Sequence, residues 1–189
     1  PAQQSMASNT VSLHKGKKNP AKEIVEQDFP QGVLLATATK RAGAYLLDLI
    51  FIFGILFVAT RGTFITWLWS VNELQISWHI IILHWIILFL VHWLYFKYTG
   101  IWMGRSLGQR WFRIALVHDD ASPLGRTHWG RRSIRKIIYI LPIIGPLWFG
   151  IRDLYRISNA EKHQSRIDLL ENTVAAIDWS LPTETRTKL

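Results

Sequence analysis

One arginine and two aspartates are the residues of this chain whose types and positions could do chemistry. Asp48 lies near the middle of an apolar run, Ala42 to Thr60, and Arg41 stands at the head of that run. A carboxylate at that depth in a bilayer costs about 3 kcal/mol or more unless it is protonated, paired or hydrated. Asp48 could therefore be an ion or proton site. It could equally be a buried acceptor for an arginine or a helix-end donor, fixing how helices pack. With a single intramembrane carboxylate, packing is the favoured reading. Arg41 and Asp48 are seven residues apart, so they share one helix face. Their axial separation is about 10 Å, beyond a direct bond unless the arginine reaches down or water bridges them. Asp168 sits in a polar stretch beside Arg166. It could cap the helical turn that follows, or pair with Arg41 or the Arg131–Arg135 group and so tie the C-terminal segment to the first helix; on the residues alone it could equally be a solvated acid.

Other chemistries find little support. His79, His84 and His92 fall in a second apolar run. None has the i, i+4 spacing around a carboxylate that marks a helix-borne metal site. Hydrogen-bonded histidines are the expectation, with no metal and no cofactor. Neither a nucleophile elbow, a P-loop, a dinucleotide fingerprint nor a paired-carboxylate motif is found, so no enzyme is expected. The 189 residues include no cysteine, which excludes disulfides, thiolate catalysis and Cys-ligated zinc or iron–sulfur centres.

The elements that must carry these residues are membrane segments. Nineteen apolar residues make about 28 Å of helix, close to the hydrocarbon thickness of a bilayer. The second span is expected over 79–96, ending in the aromatic and basic residues Tyr95, Lys97 and Tyr98 that anchor at an interface. Between the spans, Trp67, Trp69 and Trp78 suit the headgroup level. Residues 99–104 read as a flexible connection. Trp111 to Val117 is β-prone and precedes the turn-like Asp119-Asp-Ala-Ser-Pro-Leu-Gly125, which predicts a small strand or hairpin. From Arg126 to Lys136, apolar residues at helical spacing oppose Arg131, Arg132 and Arg135, the profile of a helix at the membrane interface. The third apolar run, 137–151, has only fifteen residues and contains Pro142, Gly145 and Pro146. It could be a kinked span supported by its neighbours, or a re-entrant or interfacial segment.

Charge placement bears on that choice. The net charge is +9, and nine Lys/Arg against two Asp fall between Lys97 and Lys136. The surplus lies beside the membrane segments, as the positive-inside rule and anionic headgroups would have it. With that loop inside, a full third span would export Arg152, Arg156, Lys162 and Arg166, so a segment that does not fully cross is favoured. Arg126, Arg131, Arg132, Arg135 and Lys136 are candidates for lipid headgroups, and a bound anionic phospholipid is compatible with them. A basic patch alone does not make a nucleic-acid site without a recognition motif, and none is present. Residues 1–30 are polar and aperiodic, and alone should be extended or disordered unless a partner holds them. Pro1 fits removal of an initiator Met or of a targeting peptide.

Together these pieces resemble the RDD family of bacterial-type membrane proteins, whose hallmark is an Arg opening the first membrane helix, an Asp within it and a second Asp near the end. Arg41 and Asp48, within Lys-Arg-Ala-Gly-Ala-Tyr-Leu-Leu-Asp, match the first two. Asp168, within Ile-Asp-Leu-Leu-Glu-Asn-Thr-Val, looks like the third, with Thr173 at a position the family usually fills with Thr. Ser106-Leu-Gly-Gln-Arg110 is similar to the family's Leu-Gly-Lys-Arg segment. The resemblance spans about 38–176. This chain departs at the last motif, where Ser165-Arg166-Ile167-Asp168 replaces the common Gly-Leu-His-Asp. Whatever that His does in relatives is missing here. The resemblance implies an architecture more firmly than an activity, because family members range from suggested transporters to partners of larger membrane complexes.

The expected fold is an all-α membrane protein with two full transmembrane helices, a third short Pro/Gly-kinked membrane segment and a small β-prone juxtamembrane loop. The expected divisions are a polar tail 1–37, a membrane domain 38–176 and a C-terminal tail 177–189. The expected role is a non-catalytic accessory or structural subunit contacting the lipid bilayer and other membrane subunits. The alternative is a small oligomeric transporter or exchanger using Asp48. A bacterial plasma membrane and a mitochondrial inner membrane both suit the charge bias.

Overall fold

Apolar length dictates the first two elements of the computed structural model, which describes residues 32–64, 78–160 and 162–187. Helix α1, Ala38–Ala59, begins at Thr37, whose side chain accepts the Lys40 N–H. Its buried residues, Ala44, Asp48, Ile52 and Leu56, recur every four positions and make one inward stripe. The other faces present Ile50, Phe57 and Val58 outward, as a helix surrounded by lipid must. Helix α2, Trp78–Met103, is apolar all round and longer than expected. It absorbs 99–103, which reads as a flexible connection in sequence. These two helices are long and apolar enough to cross a membrane. Ile52, Leu56, Leu88, Tyr95 and Phe96 pack together between them. The expected N-terminal tail (as far as residue 31), and the indoles of Trp67, Trp69 and Trp78, lie outside what is described.

Past Gly104, a one-turn helix α3, Leu107–Trp111, leads into strand β1, Ile114–His118. The turn expected after it forms: the His118 N–H donates to the Ser122 carbonyl, and the Ala121 N–H donates back to that of His118. The strand's main partner is not the following segment, however. It pairs antiparallel with β2, Thr173–Ile177, in the register Ile114↔Ile177 to His118↔Thr173. Leu34–Ala36 adds to the far edge of β2, the Ala36 N–H donating to the Ala175 carbonyl at 2.8 Å. One sheet face packs on Ala36, Ala44 and Trp129, and the other carries Leu181. With both faces covered, β1 is a near-continuous apolar run rather than an alternating one. The packed unit therefore extends past both expected limits, 38 and 176. On the C-terminal side Leu181 is buried and the Thr185 hydroxyl donates to the Ala121 carbonyl at 3.0 Å.

Helix α4, Arg126–Lys136, lies against α2, where Gly100 permits the approach: a Cβ there would sit 2.2 Å from the Trp129 ring. A short 3-10 turn, Ile137–Ile140, then reaches Pro142. The chain turns there, with Ile143 at φ +63°, and resumes through a π-helical turn, Gly145–Gly150, into α5, Ile151–Asn159. The arms on either side of the turn, 126–140 and 145–159, are bent by 112° to each other. This is the Pro/Gly-kinked third segment, a broken span or re-entrant loop by shape, and Tyr139 bridges its arms by donating to Asp153. Helix α6, Arg166–Glu171, precedes β2, and a one-turn helix α7, Thr183–Arg186, ends the described chain. The whole is largely helical with one small sheet at the Arg41 end of α1.

Candidate functional site

Two serine-capped helix starts build the polar centres. At the first, the Ser106 hydroxyl accepts the Gln109 N–H while the Gln109 side chain accepts the Ser106 N–H. This capping box satisfies two of the orphan donors of α3 and leaves another, the Gly108 N–H, aimed at α1. It donates to Asp48 Oδ1 at 2.7 Å. Tyr95, from α2, donates to the same oxygen at 2.7 Å, and the Ser106 hydroxyl donates to Oδ2 at 2.6 Å. Asp48 is 1% exposed. Its carboxylate thus joins α1, α2 and α3 through neutral donors alone, which leaves no buried acceptor bare. Glycine is required at 108, since a Cβ there would lie 2.0 Å from the Ala44 carbonyl oxygen and 2.9 Å from the Asp48 carboxyl carbon.

The second centre repeats the device. Ser165 caps α6, and Asp168 returns the bond, Oδ2 accepting the Ser165 N–H at 2.9 Å and its hydroxyl at 2.8 Å. Asp168 also receives two guanidinium groups. Arg41, from α1, pairs with Oδ2, and Arg132, from α4, donates to Oδ1 at 2.7 Å. Arg41 further donates to the His163 carbonyl at 2.8 Å, and Arg132 to the Thr173 hydroxyl. Asp168 is fully buried. Burial by itself would raise its pKa, but the charges of Arg41 and Arg132 and the bonds from Arg41 and the Ser165 N–H outweigh it, holding the carboxyl well below the usual carboxylate range.

The structure thus brings Arg41 to Asp168 and not to Asp48; the two residues sharing a face of α1 have separate partners. Of the headgroup candidates, Arg126 and Arg131 are exposed. Arg135 pairs with Glu171 at 2.7 Å. Arg132 must be removed from that group: its side chain is only 4% exposed and its donors serve Asp168 and Thr173. Position explains this, because Arg132 is three residues beyond the buried Trp129 and so lies on the inward face of α4. Lys136 places its ammonium 3.8 Å from the centre of the Phe96 ring. Among the histidines, His92 is fully buried and lies 3.2 Å from the Tyr45 hydroxyl, and the His84 ring meets the Ile80 carbonyl at 2.6 Å.

Four partners escaped the sequence reading: Tyr95, Ser106, Gly108 and Ser165. The Ser-x-x-Gln and Ser-x-x-Asp spacings at 106–109 and 165–168 were signals for the two caps. Tyr95, expected as an interface anchor, is instead buried and donates to Asp48; nothing in sequence marks it for that role among the many aromatics of α2. Between α1, α4 and α5 lies a cavity of about 410 Å³, bordered by Arg41, Asp48, Gln109, Arg132, Lys136, Tyr139, Asp153 and Ser165 and walled elsewhere mainly by apolar side chains.

No curated protein and no solved structure matches the chain. A family model does: that of the RDD family, over residues 35–172, which takes in Arg41, Asp48 and Asp168. With two helices able to cross a bilayer and this match over most of its length, the chain is an integral membrane protein belonging to the RDD family.

Proposed function

We propose that this protein is a non-catalytic accessory subunit of a larger membrane protein complex, with its Arg/Asp network serving to fix its own shape. The observation that carries this reading is that the hallmark charges are satisfied within the chain. Asp48 accepts three neutral donors, and Asp168 accepts two guanidinium groups and a capping serine. An ion site needs a carboxylate with open coordination, and these are committed. The last motif supports the same reading: where relatives commonly carry a His before the aspartate, Ile167 is a buried apolar residue. Few spans and a basic juxtamembrane face suit a subunit seated among others at a bacterial plasma membrane or a mitochondrial inner membrane, with anionic lipid around it.

One observation favours a second reading, a small oligomeric transporter or exchanger. Asp48 is among the residues bordering the cavity between α1, α4 and α5. Two or three helices rarely enclose a route alone, which is why this reading needs several copies.

Copurification in mild detergent separates the two. The subunit reading expects the chain to bring down stoichiometric membrane partners, and Asp168→Asn or Arg41→Ala to release it from them. If the chain instead purifies alone, and Asp48→Asn abolishes ion flux in vesicles without disturbing assembly, the transporter reading takes its place.

A further inference from the structure

The cavity between α1, α4 and α5 has a charge left over. Among the described residues, Lys136 has no ion pair to a carboxylate, and its ammonium lies over the face of Phe96. Two of the surrounding acids are fully engaged, and the third, Asp153, keeps one buried carboxylate oxygen without a hydrogen-bond partner. Asp48 is filled by its three donors, Asp168 by Arg41 and Arg132, and Asp153 takes the Tyr139 hydroxyl and lies 3.6 Å from Arg152. Among the charged residues that line the cavity, Arg41, Arg132 and Lys136 stand against Asp48 and Asp153. With Lys136 protonated, one positive charge remains, the charge complement of a single acidic group.

The rest of the cavity is largely apolar, and so is its way out. Leu46, Ile143 and Ile151, which line it, are 59%, 74% and 58% exposed. Leu46 lies on a membrane-spanning helix and the other two on the bent third segment, so the rim meets hydrocarbon rather than water. A volume of about 410 Å³ lies within the range of about 300–1,000 Å³ that bound small molecules use. A free inorganic anion would leave the aliphatic wall empty, and a partner helix, about 10 Å across, is too broad to enter.

We propose that this cavity is a binding site for one anionic membrane lipid, its acidic headgroup on Lys136 and an acyl chain along the wall of Leu46, Ile143 and Leu154. The lipid enters sideways from the bilayer between α1 and the bent segment, and fills the space between them. This goes beyond the general attraction of a basic loop for headgroups, because it places the lipid in a specific slot. It does not depend on the presence of any partner subunit.

The test is native mass spectrometry of the full chain, purified in mild detergent and given equal amounts of phosphatidylglycerol and phosphatidylcholine. One phosphatidylglycerol should be retained per chain, preferred roughly tenfold, as expected for a charge-assisted contact. Lys136→Gln should remove that preference. Leu46→Trp, at a lipid-exposed position where folding is not at stake, should block the entrance and lower retention of both lipids. Arg126→Gln with Arg131→Gln, on the exposed face, should leave retention unchanged. Equal retention of the two lipids by the unaltered protein would overturn the proposal. So would wild-type retention in both Lys136→Gln and Leu46→Trp, or loss only in the Arg126/Arg131 pair. Because the isolated chain is used, loss of a protein partner leaves this result untouched, and failure here leaves the subunit reading standing.

Discussion

Asp48 and Asp168 are buried to the same degree, yet the chain holds them by opposite means. Asp48, inside a span, receives a phenol, a serine hydroxyl and a backbone N–H. Asp168, at the juxtamembrane end, receives two arginines. Depth accounts for the difference. Within hydrocarbon a guanidinium partner would be a second ion to desolvate, at several kcal/mol, whereas neutral donors satisfy the carboxylate without adding a charge. At the juxtamembrane end the Arg41 side chain is still 14% exposed, so it is not wholly withdrawn from solvent. The comparison teaches that one family hallmark contains two kinds of joint: a neutral one locking α1 to α2 and α3, and an ionic one locking α1 and α4 to α6 and the sheet.

The ionic joint should be the more sensitive. Asp168→Ala leaves Arg132 buried with one neutral partner and strips Arg41 of its counter-charge, and should cost about 3–5 kcal/mol in denaturant unfolding in detergent. A loss under 1 kcal/mol would remove the distinction between the joints. Next comes the neutral joint's tightest approach. Gly108→Ala would drive a methyl group into the Ala44 carbonyl and push the donor away from Asp48, at about 1–3 kcal/mol for overpacking. A melting temperature equal to that of the unaltered protein would mean that α3 has room to retreat. Tyr95→Phe deletes one of three donors while two remain, so about 1 kcal/mol is expected from the same unfolding measurement. A loss matching that of Asp168→Ala would show that the neutral joint is no weaker.

The smallest effect expected near neutrality is that of pH on the ionic joint. The Asp168 carboxyl is depressed when folded, so the unfolded chain binds its proton more readily. Its contribution is fully present above the ordinary aspartate value of about 4 and is lost as pH falls through the lower folded value. Stability attributable to Asp168 should therefore be flat from pH 7 to about pH 5 and decline only in stronger acid. Asp168→Asn should remove that acid-side component. A decline centred near pH 6 in the unaltered protein, absent in the variant, would contradict the depressed carboxyl.

Much of this frame is readable from the chain, and the unread parts have physical reasons. The two spans follow from apolar length, and Asp48 faces inward because it continues the stripe of Ala44, Ile52 and Leu56. The bent third segment follows from Pro142 and Gly145 in too short a run. Gly100 suggested a break, but it is small because Trp129 presses on it, and α2 continues through it. Strand β2 was missed because it is five buried residues with no alternation, and its paired residues lie 55 to 63 positions earlier; non-local pairing leaves no local mark. Tyr95 and Gly108 were missed for a related reason: one is a polar tip among many aromatics, the other a matter of shape. Arg132 was grouped with its surface neighbours although its spacing from Trp129 already placed it inward.

Ion flux and thermal unfolding, measured together on vesicles carrying the protein or its Asp48→Asn variant, test most directly whether the membrane aspartate is a joint rather than a carrier site. A joint predicts that any cation leak is the same in both while the unfolding temperature of the variant falls. A flux present in the unaltered protein and abolished in the variant, with the unfolding temperature unchanged, would contradict the account.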